Sequence, residues 1–118
     1  MKEIELQEGE EVIETAKGSF WQNTFIFLYE QMDGEIVITN KRVLFNAKVI
    51  GQTFIALDIK ISDIAQINKC NVGTVIPLNP TGIELVDEHE HVCKISTIKR
   101  TKIMETLQKL IDENKNVR

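Results

Sequence analysis

The most restrictive feature of this chain is a change in the spacing of its apolar residues near the C-terminus. Between residues 55 and 61, isoleucine or leucine occupies every second position. This period of two predicts a half-buried β-strand. After residue 99 the spacing becomes the i, i+4, i+7, i+8 pattern of an amphipathic helix, carried by Ile103, Leu107, Leu110 and Ile111. We therefore predict a β-rich chain that ends in one helix over residues 99–113, with a frayed tail over residues 114–118.

The segments before the helix predict about seven short strands. The apolar run over residues 20–29 predicts one long strand that starts after a break at Gly18-Ser19, and the Asp33-Gly34 pair predicts a tight hairpin turn before the next strand over residues 35–39. Further turns are predicted at Asn40-Lys41 and at Gly51. A terminal helix has to bury its apolar stripe, and a bent antiparallel sheet can cover that stripe. The predicted fold class is therefore mainly β, a bent antiparallel sheet or barrel closed by a C-terminal helix.

Length and composition predict one domain over residues 1–118. A chain of 118 residues is close to the commonest domain size. No apolar run approaches the length of about 18 residues that spans a bilayer. The acidic start, Met1-Lys2-Glu3-Ile4-Glu5, lacks the apolar stretch of a secretory signal, which predicts a cytoplasmic protein.

The charge is unevenly distributed along the chain. The net charge is −4, with nine acids and two bases in residues 1–35 and nine acids and twelve bases in residues 36–118. This balance disfavours nucleic acid as a partner, because nucleic-acid modules usually carry a strong positive face. Two basic clusters follow residue 35, and they are either solvated surface or the contacts for an anion or an anionic membrane: Lys41, Arg42, Lys99, Arg100 and Lys102.

Catalytic machinery is not apparent in the sequence. His89 and His91 lie between Glu88 and Glu90, which predicts either a solvated hairpin tip or part of a metal site that needs further ligands. Cys70 and Cys93 are two isolated thiols, either core residues or a redox pair. No nucleophile elbow, phosphate loop or dinucleotide motif is present. We predict a protein that is not an enzyme and has no cofactor or metal.

The stretch from Gly34 to Phe45 is similar to the signature of the GRAM family, whose fold is pleckstrin-homology-like. It contains a glycine, an apolar strand, Thr-Asn, a basic pair and an apolar-aromatic strand in that order. Weaker similarities lie at residues 9–13, in the Asp-Ile pairs at residues 58–59 and 63–64, and at residues 80–85. The resemblance implies a module that binds membranes or proteins, and some relatives bind phosphoinositides. Pleckstrin-homology domains that bind phosphoinositides usually carry several bases in the loop after the first strand. In this sequence we place that loop at residues 16–23, where Lys17 is the one base.

Five of the seven aromatic residues lie within ten positions: Phe20, Trp21, Phe25, Phe27 and Tyr29. Their segment is apolar on both faces, and a small β barrel has only one interior. The second face could be covered by the helix, by the N-terminal leader with Ile4 and Leu6, or by another copy of the chain. Because aromatic residues are enriched at the centres of interfaces, these five predict a homo-dimer or higher oligomer. Two functional hypotheses result: an adaptor module for a protein or an anionic membrane, peripheral to that membrane, and an oligomerising structural domain without a separate ligand.

Overall fold

The computed structural model describes residues 4–25, 28–73 and 78–116. Within these residues the chain forms one seven-stranded antiparallel sheet and one α-helix. The elements are β1 (Val12–Phe25), β2 (Leu28–Thr39), β3 (Arg42–Val49), β4 (Gln52–Lys60), β5 (Ile64–Val72), β6 (Asn79–Asp87), β7 (Val92–Ser96) and α1 (Arg100–Asn116). A short 3₁₀ turn, Ile61–Asp63, joins β4 to β5. The strand order is β4-β3-β2-β1-β7-β6-β5, so β4 and β5 are the edges of a bent sheet that does not close into a barrel. The predicted fold class is confirmed.

The core lies between one face of the sheet and the apolar stripe of α1. Ile103, Leu107 and Ile111 are fully buried among strand residues such as Ile36 and Phe45, and Leu110 packs at the margin of the same cluster. The prediction of a docked amphipathic helix is confirmed in its position and in its buried face. Its C-terminal boundary was predicted too early, because the helix continues to Asn116.

The apolar run over residues 20–29 is not one strand, as its composition predicted. It forms the two arms of a hairpin, since β1 extends to Phe25 and Phe25 pairs with Leu28 at the start of β2. Residues 26–27, which join the arms, lie outside the described residues. The prediction that Gly18-Ser19 interrupts the pattern was also wrong, because β1 runs through both residues without a break. The loop placed at residues 16–23 is therefore the middle of a strand.

The turn predicted at Gly34 is also corrected by the structure. Gly34 lies in the middle of β2, opposite Gly18 on β1 and Ala47 on β3. A Cβ atom at Gly34 would collide with the carbonyl oxygen of Asn46, and one at Gly18 would collide with the carbonyl oxygen of Ser96. The two glycines therefore allow a close approach of backbones within the bent sheet, which is a known use of glycine in strands. The turns predicted at Asn40-Lys41 and Gly51 lie between strands as expected.

The strict alternation over residues 55–61 is broken by a bulge in β4. Phe45 pairs with Leu57, while the next residue, Asn46, pairs with Ile55, so Ala56 is the extra residue. The extra residue shifts the alternation by one position. Residues on opposite sides of the bulge that would otherwise share a face of the sheet therefore point to opposite faces. Leu57 accordingly packs against the core, whereas Ile55 does not belong to that cluster.

Candidate functional site

The turn between β2 and β3 is held by a polar cluster that we name the clasp, formed by Glu10, Thr39 and Arg42. Arg42 donates to the Glu10 carboxylate from Nε at 2.8 Å and from Nη2 at 3.0 Å. The Thr39 hydroxyl donates to the same carboxylate at 2.6 Å and accepts the backbone N–H of Arg42 at 2.9 Å. The clasp therefore ties the segment before β1 to the turn at the far end of β2.

The other residues of the turn make the same connection. The Asn40 side chain donates to the Gly9 carbonyl at 3.0 Å and accepts the backbone N–H of Glu11 at 2.8 Å. Lys41 donates through Nζ to the Glu8 carbonyl. The Thr-Asn-Lys-Arg sequence that carries the family resemblance is thus occupied by structural hydrogen bonds.

Arg42, one of the candidate anion contacts, is engaged within the chain. Its side chain is only 11% exposed, and its remaining nitrogen donates to Asp58 at 3.0 Å. The hydrogen bonds from Arg42, and then those from Thr39 and the Gln7 backbone, lower the pKa of Glu10 to about 2. The ion pair with Glu10 likewise raises the pKa of Arg42. Both groups stay charged at neutral pH, and each nitrogen of the guanidinium already has a hydrogen-bond partner.

The second predicted cluster has a different environment, at the start of α1. Ile98 is 92% exposed directly before this cluster, and Leu78 is 76% exposed directly before β6. The Thr97 N–H donates to the Thr81 carbonyl at 3.1 Å, which places the end of β7 beside the start of β6. Both apolar side chains therefore lie at the same end of the sheet. We name this surface the apolar-basic patch, consisting of Leu78, Ile98, Lys99, Arg100 and Lys102.

The three bases of the patch are only lightly engaged. Lys102 is exposed, and its Nζ lies 3.9 Å from the Glu14 carboxylate. Arg100 reaches the Cys70 carbonyl with a long hydrogen bond of 3.4 Å, and Lys99 is exposed. The helix has no acidic residue in its first turn, so the bases add to the positive end of its dipole. Sequence reasoning identified the bases but missed Ile98 and Leu78, although Ile98 directly precedes the basic run.

The structure describes the side chains of only two of the aromatic residues that were predicted as an interface. Phe20 packs on Phe45 with ring centroids 5.9 Å apart. Trp21 is 7% exposed and donates from Nε1 to the Ser96 hydroxyl at 2.8 Å. Trp21 is therefore buried within one chain, and Phe20 is partly buried there. The side chains of Phe25, Phe27 and Tyr29 lie outside what the structure describes, so self-association stays a prediction.

The histidine turn and the cysteines are explained by local structure. Asp87 accepts the backbone N–H groups of His89 and His91 at 2.8 and 2.9 Å, which fixes the turn between β6 and β7. No group of three metal-ligating side chains converges within residues 4–25, 28–73 and 78–116.

Cys70 on β5 and Cys93 on β7 are free thiols separated by β6, and burial raises the pKa of Cys93 to about 11.

A bent antiparallel sheet followed by one C-terminal helix defines the pleckstrin-homology-like class. The Vps36 N-terminal PH domain has the same fold, with a TM-score of 0.65 and 16% identity over 94% of this chain and 86% of that one. The C-terminal domain of an unknown protein from Leishmania infantum gives a TM-score of 0.65 and 15% identity, covering 88% and 86% of the two chains. None of the curated proteins compared with the chain matches it.

The chain belongs to the GRAM domain family, whose pattern it matches over residues 1–116. Domains of this family and of the pleckstrin-homology-like class are typically non-catalytic modules that bind lipids or proteins. In the described part of the chain, no helix is both long enough and apolar enough to span a bilayer.

Proposed function

We propose that this chain is a non-catalytic binding module that contacts anionic membrane surfaces through the apolar-basic patch. The observation that carries the proposal is the pairing of two exposed aliphatic side chains, Ile98 and Leu78, with three bases at one end of the sheet. Exposed apolar residues rimmed by polar ones mark protein or membrane contact sites. The adjacent bases favour the membrane, because its cytoplasmic surface carries negative charge.

The expected binding is weak and sensitive to salt. Each base near an anionic surface contributes about 1 kcal/mol, and its attraction is screened over about 8 Å at physiological ionic strength. An isoleucine that enters the boundary between headgroups and acyl chains adds an apolar contribution that salt does not screen. The patch has both components, so we expect salt to reduce the binding without abolishing it.

The β1–β2 hairpin is a poor candidate for a strongly anionic headgroup. The sequence has no lysine or arginine between Lys17 and Lys41, while it has Glu30, Asp33 and Glu35 in that interval. Lys41 and Arg42, which follow, are held by the N-terminal segment. This charge distribution favours the start of α1 over the hairpin as the membrane-facing surface.

Vesicle cosedimentation tests the proposal. Vesicles of phosphatidylcholine with about one-third phosphatidylserine should bind the chain, and phosphatidylcholine alone should bind it several-fold less. A Lys99→Gln/Lys102→Gln variant should lose most of the binding to the anionic vesicles, and Ile98→Ser should lose the part that survives high salt. The matched control is Lys60→Gln/Lys109→Gln, which removes two exposed bases elsewhere. Equal losses in the two double variants would contradict a localised patch.

A further inference from the structure

A second feature lies on the face of the sheet that points away from the core. There a cavity of about 460 Å³ opens where Gly18 and Gly34 pair between β1 and β2. Its volume is within the usual range for small-ligand sites, roughly 300–1,000 Å³. The glycine backbones form part of its wall, and the side chains around it are Lys17, Asp33, Glu35, Asn46 and Lys48.

The charges around this cavity alternate across three strands. Lys17 on β1 is opposite Glu35 on β2, and Asp33 and Lys48 come from the next positions on β2 and β3. The two lysines therefore flank the two acids, with their Cα atoms about 12 Å apart from strand spacing and rise. Within the described residues no ion pair joins either lysine to either acid, and Asp33 accepts instead from Ser19 and Gln31 at 2.8 and 3.1 Å. The four charges surround the cavity without closing on one another, and their sum is zero.

Thr97 connects the strand that carries Lys17 to the start of the apolar-basic patch. The Thr97 hydroxyl donates to the Lys17 carbonyl at 2.9 Å and accepts the backbone N–H of Lys99 at 3.2 Å. Ile98 is therefore in the segment that leaves the sheet beside the cavity. On the other side Lys48 leads into the β3–β4 turn, where Ile50 is fully exposed. One exposed isoleucine, Ile50, therefore follows β3, which carries Lys48, and another, Ile98, follows β7, which pairs with β1.

We propose that this cavity binds a zwitterionic headgroup, a phosphate ester that also carries an ammonium group, as phosphoethanolamine does. Lys17 and Lys48 hold the phosphate, and Asp33 and Glu35 hold the ammonium group. A headgroup with several phosphates is disfavoured, because the two carboxylates repel the additional charge. A simple anion gains from the lysines but leaves the negative charges of both acids without a cationic partner. The inference extends the proposed membrane contact, and the apolar side chains on both sides favour a lipid as the source of the headgroup.

A titration with soluble headgroups tests the cavity without any membrane. In ¹⁵N-resolved NMR spectra, glycerophosphoethanolamine should shift the amide signals of Lys17, Gly18, Gly34 and Glu35 and should saturate on the order of millimolar. Glycerophosphate and ethanolamine, which each lack one of the charges, should bind at least about tenfold more weakly. Shifts confined to other parts of the chain, or equal affinity for glycerophosphate, would overturn the proposal.

Charge variants separate the two halves of the site. Glu35→Gln should weaken glycerophosphoethanolamine severalfold and leave glycerophosphate unchanged or slightly tighter. Lys48→Gln should weaken both, and Lys60→Gln, an exposed base on β4, should change neither. A Glu35→Gln variant that keeps its spectrum and its full affinity for glycerophosphoethanolamine would rule out the ammonium half of the site.

Vesicles then identify the source of the headgroup. Adding phosphatidylethanolamine to phosphatidylcholine vesicles should increase cosedimentation of the wild-type chain but not of Lys48→Gln. Binding of the soluble compound without this increase would overturn the assignment to a lipid and leave a free phosphoethanolamine compound as the ligand.

The Lys99→Gln/Lys102→Gln variant distinguishes the two proposals. It should still bind soluble glycerophosphoethanolamine, because it changes the membrane patch and not the cavity.

Discussion

The carboxylate of Glu10 and the guanidinium of Arg42 meet in a two-point ion pair, with nitrogen-oxygen distances of 2.8 and 3.0 Å. The two residues are separated by the whole of β1 and β2, and both side chains are largely withdrawn from water. The pair fixes the segment before β1 against the start of β3. Arg42, a basic residue of the family motif, therefore stabilises the fold through this ion pair.

Removal of Arg42 should destabilise the chain strongly. In Arg42→Met the aliphatic stem is retained, but the buried Glu10 carboxylate loses its cationic partner. We expect the free energy of unfolding to fall by about 3–5 kcal/mol, which urea denaturation measures. Lys109→Met, on the exposed side of α1, should change it by no more than about 0.5 kcal/mol. A loss in Arg42→Met as small as the loss in the control would show that the clasp is solvated and weak.

The same pair predicts an acid-sensitive range. The pKa of Glu10 is about 2 in the folded chain, below its ordinary value of 4.5, so the folded state favours the charged carboxylate. Its contribution to stability is complete above about pH 4.5 and is lost as the pH falls toward 2. In Glu10→Gln the unfolding free energy should be lower at pH 7 and should decline less between pH 4.5 and 2. Parallel pH profiles of variant and wild type would contradict this.

The sequence predicted those parts of the fold whose signals are local. The helix stripe at Ile103 and Leu107 was recognised because its period reports burial on one face. The hairpin boundaries were misplaced because an Asp-Gly pair in a strand interior resembles a turn, and the reason for Gly34 is the backbone of β3, which is distant in sequence. The bulge at Ala56 also depends on pairing with β3 and leaves no mark in the apolar pattern.

The sequence likewise predicted only part of the candidate site, because it shows local clusters of residues and not contacts between distant strands. The bases at residues 99–102 are adjacent in sequence, so their clustering was visible. Leu78 joins them only through the pairing of β6 with β7. Lys17 and Lys48 come together across three strands, and a sequence without known register cannot show that relationship. The pairing of Arg42 with Glu10 in particular could not be located from the sequence, because the two residues are far apart along the chain.

Truncation of the helix core tests the docking of α1. Leu107 is fully buried, and Leu107→Ala should lower the free energy of unfolding by about 2–5 kcal/mol through lost burial and a residual cavity. Lys109→Ala, two positions away on the wet side, should change it by no more than about 0.5 kcal/mol. Urea denaturation of both variants gives the comparison. A value for Leu107→Ala within a few tenths of the control would mean that the helix is not packed on the sheet.

A methyl group at Gly34 tests the close approach of β2 and β3. In Gly34→Ala the new Cβ atom overlaps the Asn46 carbonyl, so one strand has to shift. We expect a loss of about 1–3 kcal/mol, which is typical of overpacking. Ala47→Gly, at the position paired with Gly34, removes a methyl group from the same strand pair and should leave the Asn46 carbonyl in place. If Gly34→Ala is as stable as wild type in thermal unfolding, the two backbones are farther apart than the structure shows.

Trp21 provides the test of whether the aromatic hairpin acts within one chain or between chains. Its indole donates to Ser96 inside the chain, so Trp21→Phe should lower the free energy of unfolding by about 1–2 kcal/mol. A double-mutant cycle with Ser96→Ala should return a coupling near 1 kcal/mol, because the two residues share that hydrogen bond. Light scattering at micromolar concentration should give the same mass for Trp21→Phe as for wild type. A wild-type mass above 13.5 kDa would support self-association through other residues, and its fall to 13.5 kDa in Trp21→Phe would instead place the indole at the interface.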